Sequence, residues 1–487
     1  FVDGLRDDVQ YYRPLYNIKQ IEILRGPNAL LFGRGGTGGG INRVTKKGII
    51  DQDFKSYTVG IDSFGASVAQ LDGNLGIDER VGLRLNVYYE NLENHRDFYD
   101  GDRYGVTPAL KLKLGEATSL DVSYELIDHE RFIDRGIPTG ADGEPVEAFE
   151  DIVFGSPELN ESILEAHVLR ARLQHAFSDT LESTLHVSYG DYDKTYQNVY
   201  PSDYTPGGQV ELDGYLDTSE RVNGIIGGYL VKEFELASLN HSLLLGGEYI
   251  GTSSDQFRFD VNWDNSGSNT KNFTVTDPMQ ITGAEYSTPV DNTETDLEVF
   301  SIYVQDEIQV FEQIQLVLGA RFDSFDIAVD NILAGTEGEQ KDEELSPRFG
   351  LVYKPSEAIS IYGSYSETFQ PQSGEQFASL GAAGLDPDTF TNREVGLKWN
   401  LRQGLSLATS LFTIEQDVVK SDGVGSFLRV ESEIDGFEAQ LKGRMSENWF
   451  IAAGYSYLDG TIGDPDPALD GNRPRELPEQ MFSLWNR

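Results

Sequence analysis

Arg80-Val81-Gly82-Leu83-Arg84-Leu85-Asn86-Val87-Tyr88-Tyr89-Glu90 decides the fold of this chain. In an extended strand Val81, Leu83, Leu85, Val87 and Tyr89 fall on one face, and Arg80, Gly82, Arg84, Asn86, Tyr88 and Glu90 fall on the other. A helix would repeat its apolar residues every three to four positions, which this stretch does not do. The same alternation returns at Leu120, Val122, Tyr124 and Leu126 against Ser119, Asp121, Ser123 and Glu125. It returns again at Ile359, Ile361, Gly363 and Tyr365 against Ser360, Tyr362, Ser364 and Ser366.

Continuing outward, the alternation predicts eighteen strands from about residue 53 to an incomplete last strand at 479–487. The connections alternate in length. Asp78-Glu79, Gly115-Glu116, Ser178-Asp179, Pro355-Ser356, Gln403-Gly404 and Ser446-Glu447 are tight turns. Between them lie long loops at 130–162, 195–217, 255–294, 328–343, 370–388 and 461–478. Tight turns on one rim and long loops on the other predict a transmembrane antiparallel β-barrel. A closed sheet this wide cannot be filled by its own side chains, so the polar face must line a wet or plugged lumen and the apolar face must meet lipid. Tyr88, Tyr89, Tyr189, Tyr192, Tyr455 and Tyr457, near strand ends, are expected in the interfacial girdles.

Composition fits this reading. The 487 residues contain 38 Lys and Arg against 81 Asp and Glu, a net charge of −43, with no Cys. Such acidity argues against nucleic acid as a partner. The lack of Cys excludes disulfides, thiolate metal sites and a Cys nucleophile. No run of apolar residues is long enough for a transmembrane helix. The six long loops together carry −25, so most of the negative excess belongs to one rim. A rim of this kind is expected to bridge divalent cations with lipopolysaccharide.

Residues 1–50 break the pattern. Arg6, Arg13, Lys19, Arg25, Arg34, Arg43, Lys46 and Lys47 outnumber Asp3, Asp7, Asp8 and Glu22. The run Gly33-Arg34-Gly35-Gly36-Thr37-Gly38-Gly39-Gly40 is followed by no Lys-Ser or Lys-Thr and no βαβ unit, so it is neither a phosphate loop nor a dinucleotide fingerprint. The stretch from Tyr16 to Gly33, centred on Ile23-Leu24-Arg25-Gly26-Pro27-Asn28-Ala29, resembles the plug of TonB-dependent siderophore receptors, as does Gly38-Gly39-Gly40-Ile41-Asn42-Arg43-Val44-Thr45. In the barrel, Leu345-Ser346-Pro347-Arg348-Phe349-Gly350, Ser364-Tyr365-Ser366-Glu367-Thr368-Phe369, Asn392-Arg393-Glu394-Val395-Gly396 and Asp435-Gly436-Phe437-Glu438 carry the same likeness, in family order.

The resemblance implies a 22-stranded barrel in the intact protein, around a plug whose C-terminal part is 1–50, with 51–487 as the barrel. On that reading the chain is an internal segment, without its signal peptide, TonB box, first plug half and last strands. The implied function is uptake of a ferric siderophore, energised by the TonB-ExbB-ExbD complex, in a bacterial outer-membrane protein that is a monomer and not an enzyme. Cobalamin, haem or a glycan is the alternative cargo. No cofactor is expected, iron being carried in the ligand.

Tyr11, Tyr12 and Arg13 match a plug apex that touches ligand in the family. Tyr192, Tyr196, Phe257, Trp263 and Phe369, with Tyr200 and Phe259, are the upper-barrel aromatics that could complete the pocket. Arg25 matches a plug position that pairs with wall acids. Glu394 matches one acid, and Gln370 stands where the other is expected. Asp464, Asp466, Asp470 and Asn472, and Asp260, Asn262 and Asp264, are oxygen-rich but lack the EF-hand spacing. They read as solvated loops. The six His show no zinc-binding spacing, so no metal site is assigned.

Overall fold

The computed structural model describes every residue except 8, 26–32, 34–38, 373–384 and 422–426, and the side chains of residues 25 and 421. The first fifty residues form a small unit of their own. β1 (Ile18–Arg25) pairs antiparallel with β2 (Gly39–Thr45), Ile23 opposite Ile41 and Glu22 opposite Asn42. Val2 bridges to Arg43 and to Leu5, tying the start of the chain to this sheet.

The wall then begins. Its first half is β3 (Phe54–Ile61), β4 (Ser67–Asp78), β5 (Val81–Glu93), β6 (Asp100–Gly115), β7 (Thr118–Phe132), β8 (Glu161–Ser178), β9 (Leu181–Thr205), β10 (Gln209–Leu236) and β11 (Leu239–Val261). A short strand, β12 (Lys271–Thr274), pairs with the upper end of β10 and is not part of the wall. The second half is β13 (Tyr286–Phe311), β14 (Ile314–Asn331), β15 (Thr336–Ser356), β16 (Ile359–Gln370), β17 (Asp388–Arg402), β18 (Leu405–Ser421), β19 (Phe427–Ser446), β20 (Trp449–Gly463) and β21 (Gln480–Asn486). Leaving β12 aside, this makes eighteen wall strands among the described residues, each at a position the alternation predicted.

Neighbours in the wall are antiparallel, and the strand order returns from β21 to β3 as a closed barrel. Residue-by-residue ladders join the neighbours along the wall, and β3 and β21, where the order returns, are exposed along nearly their whole length.

The faces sort as the size argument requires. On β7, Asp121, Ser123 and Glu125 are buried inside, and on β5 Asn86 is fully buried while Leu83 and Leu85 are exposed outside. β13 shows both the rule and its limit. Its outer face changes from Val304, Ile302 and Phe300 to Glu298, Asp296 and Glu294 on climbing the strand, while Thr293 and Thr295 lie inside. The outer apolar band therefore ends near residue 300; above it the outer face turns acidic, while the inner face passes from apolar Val299 and Leu297 to Thr295 and Thr293.

That change explains the main departure from the predicted loops. Residues 195–217 are mostly a tall hairpin of β9 and β10, turning at 206–208, and 328–343 is a hairpin of β14 and β15. Ladder hydrogen bonds continue above the membrane band, but the alternation that betrays a strand does not. Tyr88 and Tyr192 also differ from expectation. Both are buried on the inner face, whereas Tyr89, Tyr189, Tyr455 and Tyr457 are exposed as girdle residues should be. Period two separates Tyr88 from Tyr89, and Tyr189 from Tyr192, onto opposite faces.

Candidate functional site

The described residues among the first fifty sit in the lumen and hold the wall through polar contacts. Asn17 Nδ2 donates to Glu125 Oε1 at 2.7 Å, and Arg170 donates to the other oxygen of that carboxylate at 2.7 Å. The Tyr16 and Thr107 hydroxyls lie 2.6 Å apart, and the Tyr16 ring stacks on Tyr88 at 4.4 Å. Lys46 and Arg84 share Asp72 at 3.0 and 2.7 Å. Leu5 enters an apolar patch of the inner wall made by Ile225, Ile250, Leu297, Val299, Phe325, Ile327 and Val329. Gly33, at φ +73°, lies under the Arg321 guanidinium, where an added Cβ would come within 3.1 Å. A side chain there would press on the guanidinium and strain a backbone conformation that favours glycine.

Residues 9–13 form an apex toward the long-loop rim. Asp7 fixes it from below. Arg13 donates to both Asp7 oxygens at 2.8 and 2.9 Å, and Arg43 donates to the same carboxylate. Burial alone would raise the Asp7 carboxyl, but the two guanidinium groups outweigh it and hold it below the usual carboxylate range. Arg13 is thus spent on the apex, with its guanidinium 4.1 Å from the Tyr11 ring centre. Tyr11 packs on Tyr192 at 6.1 Å, and Tyr12 stays exposed between Arg103 and His129.

Above this apex lies a cavity of about 820 Å³. Its wall is built from cross-strand rows on the inner face. One row runs Arg131, Ser162, Tyr196, Asp217, Arg258, Asp291 through β7, β8, β9, β10, β11 and β13. The row below runs His129, Leu164, Lys194, Ser219, Gln256, Thr293. A third row, with Ile127, Ala166 and Tyr192, forms an apolar floor with Val9 and Tyr11.

Two Arg side chains hold the aromatic wall in place. Arg135, in the segment after β7, donates to the Tyr215 hydroxyl at 3.0 Å, the Tyr196 hydroxyl at 3.3 Å and Asn198 Oδ1 at 3.2 Å. Arg258 lies 4.3 Å from the Tyr215 ring centre and grips Asp217 through two bonds of 2.6 and 2.7 Å. Tyr196 and Tyr215 stack at 6.1 Å. Such a surface offers flat aromatic area, hydroxyls and cations to an anionic or polar ligand.

Of the predicted contact residues, the cavity gathers Tyr11, Tyr12, Tyr196 and Phe257, with Tyr192 beneath. Phe257 lies on the opposite strand face from Gln256 and Arg258, so it contributes at the edge. Arg13 is behind the apex. Trp263 is 1% exposed within a separate apolar cluster with Phe154, Val199, Leu212 and Phe273, which joins the segments after β7 and β11 to the tall β9–β10 hairpin. Phe369 is buried on β16, away from the cavity. Tyr200 stands outside the lining under Arg135, 4.9 Å from its guanidinium.

His129, Arg131, Lys194, Tyr215 and Arg258 were missed by the sequence reading. They are ordinary inward positions of alternating strands, and register alone collects them. The Arg25 side chain lies outside the described residues, so its pairing is not seen. Glu394 accepts a hydrogen bond from Tyr362, and Gln370 is exposed. Among the described residues, no three His, Asp or Glu side chains converge as metal ligands.

Residues 108–487 match the family model described as TonB dependent receptor-like, beta-barrel. The probable TonB-dependent siderophore receptor PiuA of Acinetobacter baumannii is 25% identical, over 100% of this chain and 72% of that protein. The metal-pseudopaline receptor CntO of Pseudomonas aeruginosa is 26% identical, over 96% of this chain and 67% of that one. The crystal structure of PiuA matches with a TM-score of 0.90 at 22% identity, covering 100% of this chain and 76% of PiuA. The closed form of the ferric-catecholate import receptor Fiu from Escherichia coli K12 matches at 0.85 and 21%, with the same coverage.

Proposed function

This chain belongs to the TonB-dependent receptor family, and from that premise we propose that it takes up a ferric siderophore across the bacterial outer membrane. The long-loop rim is then extracellular and the tight-turn rim periplasmic. The chelate binds in the cavity between the apex at Tyr11 and Tyr12 and the wall rows of β7 to β13. The TonB complex then supplies the work that moves the plug aside. No covalent step is involved, so the protein acts as a receptor and transporter.

The observation that carries this reading is the cavity itself. It opens toward the long-loop rim, is floored by the plug, and is walled by Tyr196, Tyr215, Arg131, Lys194 and Arg258. An open diffusion pore would have no need of a polar, aromatic pocket seated on a plug. Relatives named as siderophore receptors support the same cargo class.

Growth decides the matter. A receptor-null strain carrying the full-length gene should regain growth under iron limitation on at least one ferric siderophore of a panel. Rescue by cobalamin, haem or a glycan, with none by any siderophore, overturns the reading.

A further inference from the structure

The cations of the cavity are unequally matched. Arg258 is tied to Asp217, and Arg103, beside Tyr12, pairs with Glu90 at 2.5 Å. Among the described residues, neither Arg131 nor Lys194 has a carboxylate within ion-pair distance, although both line the cavity. Arg131 Nε is buried without a hydrogen-bond partner. The same is true of His129 Nε2, on a side chain only 4% exposed. Buried polar groups are normally satisfied, and each exception calls for an explanation.

Register places the three together. His129 and Arg131 are successive inward residues of β7, and Lys194 stands in the His129 row two strands away. Strand spacing and rise put them on a patch about 7–12 Å across. Tyr12 borders the patch at His129, and Tyr196 lies two strands from Arg131 in the upper row. Asp217, one strand from Lys194, is the acid nearest the patch, and its charge acts on Lys194 without an ion-pair contact. Asp217 is taken by Arg258, and Asp291, at the far end of the upper row, accepts the Thr293 hydroxyl.

We infer that Arg131, Lys194 and His129 form an anion subsite, and that the chelate this receptor takes carries net negative charge. Ferric catecholates and hydroxycarboxylates fit that description, and neutral tris-hydroxamates do not. The inference rests on the siderophore reading above. An anionic ligand supplies the acceptors that these donors lack, through charge-assisted bonds that are stronger than neutral ones. Tyr12 and Tyr196 supply flat surfaces for the aromatic or planar parts of the chelate.

The test is equilibrium binding to the full-length receptor, read by quenching of tryptophan fluorescence. The probes are ferric enterobactin and ferric dicitrate, both anionic, and ferrichrome, which is neutral. At least one anionic chelate should bind about tenfold or more tighter than ferrichrome, and its affinity should fall with salt. Arg131→Gln and Lys194→Gln should each weaken it by about tenfold, the loss of one charge-assisted contact. Heat-modifiable gel mobility reports that the variants are folded. Equal binding of ferrichrome and the anionic chelates by the wild type overturns the anion subsite and leaves the siderophore reading intact. So does an unchanged anionic affinity in the folded double variant. Binding of none of the three, together with rescue of growth only by a cargo other than a siderophore, overturns both.

Discussion

The rings of Tyr11 and Tyr192 meet 6.1 Å apart, and this is the contact through which the N-terminal segment becomes the floor of the cavity. Tyr192 is 6% exposed and packs with Ile127, Leu164, Ala166, Val168 and Val9. Its position ties the apex of the plug to three wall strands. Any change in the plug that lifts Tyr11 therefore opens the cavity from below.

Tyr192→Ala should cost about 3–5 kcal/mol of local stability, as large buried aromatic truncations do, and should loosen the apex. Hydrogen exchange at residues 9–13 would rise. Tyr192→Phe should stay close to wild type, because the ring does the packing. Equal protection of the apex in wild type and Tyr192→Ala would show that the contact is incidental.

Arg135 holds two pocket tyrosines at once. Arg135→Ala should release Tyr196 and Tyr215 and weaken chelate binding by about tenfold, a loss of roughly 1.4 kcal/mol. Arg135→Lys should not restore it, since a single ammonium cannot reproduce the planar fork. Titration of the three proteins with the same ferric chelate checks this.

Asp7 gives a pH dependence with a definite sign. Its folded carboxyl is held below the usual range, so its contribution is present above about pH 4 and is lost as pH falls below that. Protection of residues 9–13 should be flat from neutral pH down to about pH 4 and then decline. Asp7→Asn should show the reduced protection already at neutral pH, because Arg13 and Arg43 lose their common anion.

Glu125 joins plug to wall by accepting from both Asn17 and Arg170. Glu125→Ala leaves a buried Arg170 without its partner, at a cost of about 3–5 kcal/mol. Thermal unfolding should come earlier, and single-channel leakage in planar bilayers should increase. Leakage equal to wild type would place the plug's hold elsewhere, for instance at Asp72 with Lys46 and Arg84.

Depth along β13 can be probed from outside. Phe300→Arg puts a charge on the apolar band and should destabilise the barrel by up to about 2–4 kcal/mol. Asp296→Arg, two outward positions higher, should cost much less. Refolding into phosphatidylcholine vesicles at graded urea concentrations would separate the two.

Alternation by itself determined the strands, their number and the faces that meet lipid. Leu83 and Leu85 could only be outside and Asn86 only inside once the sheet was too wide to fill itself. The basic, glycine-rich start of the chain set it apart from the wall, and the resemblance to a family plug pointed to Tyr11 and Tyr12 as its apex. Tertiary structure decided which inward residues meet. Arg131, Tyr196 and Arg258 lie far apart in sequence and share one row only because four successive ladders have fixed registers. A shift of one residue in any ladder would turn the strands beyond it to the other face, so no local pattern encodes the row. Local sequence could not tell an aromatic of the cavity from one of the outer apolar cluster: Trp263 is walled in by two separate connections and the tall β9–β10 hairpin. Strand period is a property of neighbours along the chain, whereas a binding cavity is a property of neighbours across it.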